Sequence, residues 1–242
     1  MLDRSAAILD AVERGIRTIP DISEETGLHR ATAYRLVKAL EAHGFLTFVG
    51  GLGYRLGPHL LRLAATAMRE QPLRDLARPA LERLATVTGE SAQLYVREGD
   101  HRVCIDSVES TSELRTIVEI GASLPLTAGS AGKIFLAWAP DPLRDRLLRA
   151  YRPATPAAPA REQLERQLGV ARRQGWIQSA GERERGVGSV SAPVTGPQGT
   201  LLAAVSVSGP ASRMGRIRAK RYAPAVVEAA REIEKALGAP PA

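Results

Sequence analysis

Arg30-Ala31-Thr32-Ala33-Tyr34-Arg35-Leu36-Val37-Lys38 mixes side chains that can read a nucleic acid with side chains that must be buried. Arginine can fork onto a guanine edge, Thr and Ala can meet a thymine methyl, and Lys and Tyr can hold phosphate oxygens. Ala33, Leu36, Val37 and Leu40 recur at spacings of three and four, the buried stripe of a helix. Arg30, Ala31, Thr32, Tyr34, Arg35 and Lys38 are thereby left facing outward as candidate DNA contacts. The elements needed to position them surround this helix. Ile22-Ser23-Glu24-Glu25-Thr26 predicts a short preceding helix, and Gly27 supplies the positive φ at which the chain turns. Phe45 to Val49 and Tyr54 to Leu56 flank Gly50-Gly51-Leu52-Gly53, which predicts a hairpin wing with Arg55 placed to touch phosphate. A helix-turn-helix followed by a wing implies a protein that reads double-stranded operator DNA. The competing reading is an αα-hairpin in a protein-interaction adaptor without sequence-specific DNA binding.

A second group of residues suits a small molecule. In Pro125-Leu126-Thr127-Ala128-Gly129-Ser130-Ala131-Gly132-Lys133 a small-residue loop leads into a helix, so unpaired amides and the positive end of the helix dipole face one space. Such a nest suits a carboxylate. Period-two alternation places Val187, Ser189 and Ser191 on one strand face, and Ser206 and Ser208 together on another. Hydroxyls beside the amides would hold a small polar acid, while the competing reading is that small residues simply permit close helix-to-sheet packing.

Other chemistries find no support. Gly132-Lys133 is not a phosphate-binding loop, because Thr127 stands where the first Gly belongs and Ile134 where Ser or Thr belongs. His29, His43, His59 and His101 lack metal-ligand spacing, and no Gly-x-Ser-x-Gly elbow occurs. The single Cys104 excludes an intramolecular disulfide and a cysteine-based zinc site. No catalytic residue, metal ligand or cofactor is therefore expected.

The chain has 242 residues, far more than a winged helix of roughly 60 to 70 needs, so a second domain with its own core must follow. The expected division is a DNA-binding domain at 1–57, a linker helix at 58–71, an effector domain at 72–238 and a disordered tail at 239–242. The linker's Leu60, Leu61, Ala64 and Met68 form an apolar stripe that would pack on a second copy or on the downstream domain. A two-fold dimer would read a pseudo-palindrome. Downstream, helices are expected at Leu73 to Val87, Ala131 to Ala139, Arg161 to Gln174 and Ala223 to Leu237. Strands are expected at Ser91 to Arg97, Arg102 to Val108, Leu114 to Ile120, Gly188 to Val194 and Leu201 to Ser208, in a mainly antiparallel sheet with helices packed on it. Net charge is +7, but residues 1–71 hold nine basic and eight acidic side chains, so the surplus lies downstream. Within the first domain the acids other than Glu41 precede Gly27 and most bases follow it, a polarity that would orient it on a duplex. The Arg clusters at 144–152 and 213–221 read as solvated surface. No run approaches a membrane span, and Met1-Leu2-Asp3-Arg4-Ser5 lacks the order of a signal peptide, which implies a cytoplasmic protein without a membrane partner.

Arg4-Ser5-Ala6-Ala7-Ile8-Leu9, Thr26-Gly27-Leu28, Tyr34-Arg35-Leu36, Tyr54-Arg55-Leu56-Gly57-Pro58, Leu124-Pro125-Leu126, Ala131-Gly132-Lys133, Gly175-Trp176, Ala192-Pro193-Val194 and Ser206-Val207-Ser208-Gly209-Pro210 together resemble the IclR-type bacterial transcriptional regulators. The resemblance spans about residues 4–238. It implies an α+β chain: a winged helix-turn-helix, a linker helix and a GAF-like antiparallel-sheet effector domain. It also implies a homodimer or dimer of dimers controlling metabolic genes, with a small acid or amino-acid-pathway metabolite as effector. Carried over by position, effector contacts fall at Leu124, Ser130, Ala131, Ser179, Val187, Ser189, Ser206 and Ser208. The chain departs from the family pattern at Ser179, often acidic, at Ser189, often Cys, and at Thr127, frequently His; these changes favour a ligand held by hydroxyls. Glu182 is retained and offers a polar substitute. Gly89-Glu90-Ser91-Ala92-Gln93-Leu94-Tyr95 and Gly181-Glu182-Arg183-Glu184 resemble an actinobacterial branch that regulates leucine and related amino-acid biosynthesis.

Overall fold

The computed structural model describes residues 1–70, 72–196 and 199–238, with side chains except at 216–219. The expected tail at 239–242 lies outside the described residues. The chain divides into two compact units, Met1–Gln71 and Pro72–Ala242.

The first unit contains α1 (Leu2–Glu13), α2 (Ile19–Thr26), α3 (Arg30–Ala42), β1 (Leu46–Val49), β2 (Gly53–Leu56) and α4 (Pro58–Arg69). The Thr18 hydroxyl caps α2 by accepting from the Asp21 amide at 3.4 Å, and Gly27 ends it at φ 66°. A residue with a Cβ would be strained at that turn. Ile8, Val12, Ile22, Val37, Leu46 and Tyr54 form the core, drawn from α1, α2, α3 and both wing strands. Each fully buried aliphatic contributes roughly 1.5–3 kcal/mol, so this small unit depends on all of them. The wing is fixed by Arg17, whose carbonyl accepts from the Tyr54 amide at 2.8 Å while its Nη1 donates to the carbonyls of Val12 and Tyr54 at 3.1 and 3.2 Å. Helix α4 buries none of its residues, and Leu61 is 73% exposed. Its first turn is tied to the unit by stacking of His59 on Phe45 at 4.4 Å between centroids.

The second unit runs α5 (Pro72–Thr88), β3 (Ser91–Glu98), β4 (His101–Val108), β5 (Ser123–Pro125), α6 (Ser130–Trp138), α7 (Asp141–Ala150), α8 (Arg161–Gln174), β6 (Ile177–Ala180), β7 (Val187–Thr195), β8 (Leu201–Pro210), α9 (Ala211–Met214) and α10 (Arg216–Ala236). Its six strands form one antiparallel sheet in the order β5-β4-β3-β8-β7-β6. Alternation along the strands feeds two cores, one on each side of the sheet. Leu81, Leu84, Val226 and Ile233 of α5 and α10 pack with Leu94, Val190, Val205 and Val207. Ile134, Phe135, Leu164 and Leu168 of α6 and α8 pack with Tyr95, Cys104 and Ala204.

Three expectations are corrected. Leu114 to Ile120 is not a strand, although burial alternates over residues 115–119: Thr116 and Val118 point inward while Arg115, Ile117 and Glu119 are exposed. β5 pairs with β4 over His101–Val103 alone, with Arg102 opposite Leu124, and residues 114–120 join no ladder. Helix α10 begins at Arg216 rather than Ala223 and continues through Pro224. Proline removes one helical hydrogen bond, a loss offset by packing of this helix on α5 and the sheet. The Arg cluster at 144–152, mostly on α7, is largely exposed as expected, but Arg213 is not merely solvated: it forks onto the buried Glu90 carboxylate, Nε to Oε1 at 2.6 Å and Nη2 to Oε2 at 2.9 Å.

Candidate DNA-reading surface and ligand cavity

On the first unit, the outer face of α3, the start of α2 and the wing enclose an open groove. Arg30, Ala31, Tyr34 and Arg35 line it, and Ala33 and Val37 face away into the core. Tyr34, at 51% exposure, presents its ring toward the groove opening, where it is available to a partner. Arg17, Thr18, His29, Phe48 and Tyr54 also border the groove and were not singled out from the sequence. The signal for them is topological, because only the hairpin pairing of Phe48 with Tyr54 returns the wing to α3. Thr32, Lys38 and Arg55 do not line this groove. Arg55 is exposed on β2, and Thr32 is half-buried. Lys38 is exposed but engaged within the chain: its Nζ lies 2.8 Å from Glu41 Oε2 and 5.7 Å from the centroid of the Tyr54 ring. The bond to Glu41, seconded by Tyr54, raises its pKa. Among the described residues Arg30 and Arg35 make no ion pair, so their guanidinium groups remain free to fork onto base or phosphate.

The second unit contains a cavity with about 30 Å³ of room for the centres of water-sized molecules. It is therefore a narrow site whose walls stand close together. Leu124, Ser130, Ala131, Ser179, Val187, Ser189, Ser206 and Ser208 all line it. Strand register brings the hydroxyls together: Ser179 pairs with Ser189, Ser189 with Ser208, and Ser191 with Ser206. Ser130 at the start of α6 lies over them, its Oγ 2.6 Å from both Ser189 and Ser191 Oγ, and Ser191 Oγ donates to Ser206 at 2.8 Å. The Ser130 amide reaches the Ser189 hydroxyl at 3.4 Å. The next amides of α6 have no partner within the helix and add positive potential. Small residues also serve packing here. A Cβ at Gly132 would lie 2.6 Å from the Leu126 carbonyl oxygen and 2.6 Å from Arg102 Nη1, so the packing reading of the small-residue loop holds at this position.

Tyr95, Arg102, Thr116, Val118 and Arg183 complete the wall and escaped the sequence reading. Arg102 sits on β4, is 3% exposed, and donates through Nη1 to the carbonyls of Pro125 and Ala128, the latter at 2.9 Å. Its guanidinium lies 5.4 Å from the centroid of the Tyr95 ring. Burial pushes its pKa down to about 10, with repulsion from Arg183 adding to the effect. Glu182 does not enter the cavity. It instead holds the fully buried Lys133 of α6, Oε1 to Nζ at 2.7 Å, with Gln167 Oε1 accepting from the same ammonium at 3.0 Å. That pair ties the helix bordering the cavity to the loop carrying Arg183.

Among the described residues no cluster of His, Cys, Asp and Glu could hold a metal, and no helix is long and apolar enough to cross a membrane. Residues 1–50 match the IclR helix-turn-helix domain, and residues 65–235 match the C-terminal domain of the bacterial transcriptional regulator IclR. The transcriptional repressor IclR of Escherichia coli K12 is 29% identical over 98% of this chain and 89% of its own length. An IclR transcriptional regulator from Silicibacter sp. TM1040 superposes with a TM-score of 0.87 at 27% identity, covering 99% of this chain and 96% of that one. An IclR homologue from Microbacterium hydrocarbonoxydans, solved in complex with 4-hydroxybenzoate, superposes with a TM-score of 0.79 at 27% identity, covering 98% of each chain. These relatives are transcriptional regulators rather than enzymes, and their helix-turn-helix makes DNA the partner of the first unit. With a winged helix in one unit, an α+β sheet around a cavity in the other, and both family models satisfied, the chain belongs to the IclR family of bacterial transcriptional regulators.

Proposed function

We propose that this regulator controls metabolic genes through an operator affinity that changes when a small acid or amino-acid-pathway metabolite occupies the cavity of the second unit. The observation that carries the reading is the cavity itself, where hydroxyls, a helix N-terminus and two guanidinium groups converge beneath the walls of an otherwise apolar core. The Microbacterium homologue carries an aromatic acid, which supports an acid-binding role for this fold. Arg30, Ala31, Thr32, Tyr34 and Arg35 enter the DNA groove, while Lys38 and Arg55 hold phosphate at its margins. The exposed apolar residues of α4 pack against a second copy, giving a homodimer or a dimer of dimers that reads paired half-sites. Ligand then shifts the placement of the paired winged helices, so occupancy and DNA affinity are linked in both directions.

The test is binding of the purified protein to duplex DNA from upstream of its own gene and to a scrambled duplex, across a salt series, with and without candidate acids. Sequence-selective binding that weakens steeply with salt and changes with an acid is the expected result. An operator affinity that no acid alters would refute the regulatory coupling.

A further inference from the structure

Among the described residues of the second unit, the other buried charges are met by an opposite charge or, for one carboxylate, by two short hydrogen bonds, while one buried cation is met by neither. Lys133 meets Glu182 at 2.7 Å, Glu90 meets Arg213 at 2.6 Å, and Asp106 meets Arg78 at 3.0 Å. Glu234 is held by the amide and hydroxyl of Thr195, both at 2.6 Å. Arg102 is as deeply buried as these groups, yet no carboxylate among the described residues lies within ion-pair distance of it. Two carbonyls occupy its Nη1, and its buried Nε has no partner. A buried cation without a counter-charge is costly, and one that borders a cavity can be relieved by what enters it.

Arg183 makes the imbalance larger. It lines the same cavity from the loop after β6, and its ion pair is a 3.4 Å contact to its exposed neighbour Glu184. The two guanidinium groups repel each other, the N-terminus of α6 adds positive potential, and no Asp or Glu lines the space. A ligand with one carboxylate would neutralise one arginine and leave the other facing a narrow, poorly hydrated cavity. Two carboxylates would satisfy both, leaving the serine hydroxyls to bond their remaining oxygens.

We infer that the cavity selects small acids bearing two carboxylates over those bearing one, with Arg102 receiving the inner carboxylate and Arg183 the outer. The inference rests on the reading of this cavity as an effector site, and names the charge of its ligand and the residues that set it. Neither arginine is a positioning group in this scheme: each contacts the ligand. Arg102 also braces the 125–129 loop, so its removal threatens folding; Arg183 is partly exposed and its removal does not.

The experiment is calorimetric titration of the full-length protein with malonate, succinate and L-malate against propionate and L-lactate, repeated with Arg183→Gln. At least one diacid is expected to bind about tenfold more tightly than either monoacid, the equivalent of one charge-assisted hydrogen bond. In Arg183→Gln that preference should vanish while monoacid binding persists. Equal binding of the two classes, a preference that survives Arg183→Gln, or no saturable binding of any diacid would overturn the inference. A parallel operator titration separates the two readings. A diacid that binds with the expected Arg183 dependence but leaves DNA affinity unchanged sinks the regulatory coupling and keeps the charge selection. A neutral metabolite that shifts DNA affinity while no diacid binds does the reverse.

Discussion

Replacing Glu182 with Gln tests whether the buried pair with Lys133 organises the cavity. Lys133 has no exposed surface, and its ammonium is held by Glu182 at 2.7 Å and Gln167 at 3.0 Å. Glutamine keeps the shape and a carbonyl oxygen but removes the counter-charge, leaving a buried cation with neutral acceptors only. Breaking a buried pair in this way costs about 3–5 kcal/mol. For a domain of this size each kcal/mol lowers Tm by about 2–4 °C, so melting of the second unit should fall by about 6–20 °C. The pH dependence fixes the mechanism. Burial lowers the Lys133 pKa more strongly than Glu182 raises it, so the native state binds this proton less tightly than the unfolded chain. Stability from this group is therefore least below the native pKa and increases as pH rises through it toward the ordinary value of 10.5. Without Glu182 the native pKa falls further, so the deficit of the variant must shrink as pH rises through the two native pKa values toward 10.5. Urea unfolding at several pH values measures both effects. The double variant Lys133→Met with Glu182→Gln should recover most of the loss, because an uncharged group of similar volume needs no partner. A deficit below about 1 kcal/mol, or one that does not change with pH, would mean that water reaches the pair and would refute the reasoning.

Gly57→Ala should destabilise the first unit by about 1–3 kcal/mol, since its Cβ would lie 2.2 Å from the Gly44 carbonyl oxygen, a backbone atom that cannot swing aside; an unchanged melting profile would contradict that close approach. Arg35→Ala should cost about 1–3 kcal/mol on the operator and little on scrambled DNA, whereas equal losses on both duplexes would make Arg35 a phosphate contact. The Cys104 thiol, pushed up to about 12 chiefly by burial, should resist alkylation at pH 8 in the folded protein and react fully in urea. Rapid native labelling would show that the strand opens on its own.

The first unit was legible because its signals are local. A stripe on α3, a glycine at the turn and two runs around a glycine-rich tip each specify an element within a few residues. The second unit was less so wherever the outcome depended on pairing. Residues 115–119 alternate in burial as a strand would, with Thr116 and Val118 turned inward, yet they join no ladder of the sheet. β6, four residues long, carries too few positions for periodicity to announce it, yet it delivers Ser179 to Ser189. Helix α10 passes through Pro224 because its packing on the sheet outweighs a rule about single residues.

The cavity shows a sharper division between what a sequence exposes and what a fold decides. Its serines could be assembled from alternation and from the family resemblance, because hydroxyls on one strand face carry their own geometry. Arg102 could not, since an arginine near the start of a strand, one residue after a histidine and beside an exposed turn, reads as solvated surface. What gives it meaning is the absence of an opposing carboxylate within reach, a property of every other residue's placement rather than of its own neighbours in sequence. The same holds for Glu182. By chain position it resembles a cavity residue, but the turn at Gly181 aims Arg183 at the ligand space and leaves Glu182 to neutralise Lys133 beneath it. One residue of register thus separates the charge that stabilises the domain from the charge that would choose its ligand. A substitution at Glu182 should therefore read out in folding, and one at Arg183 in affinity.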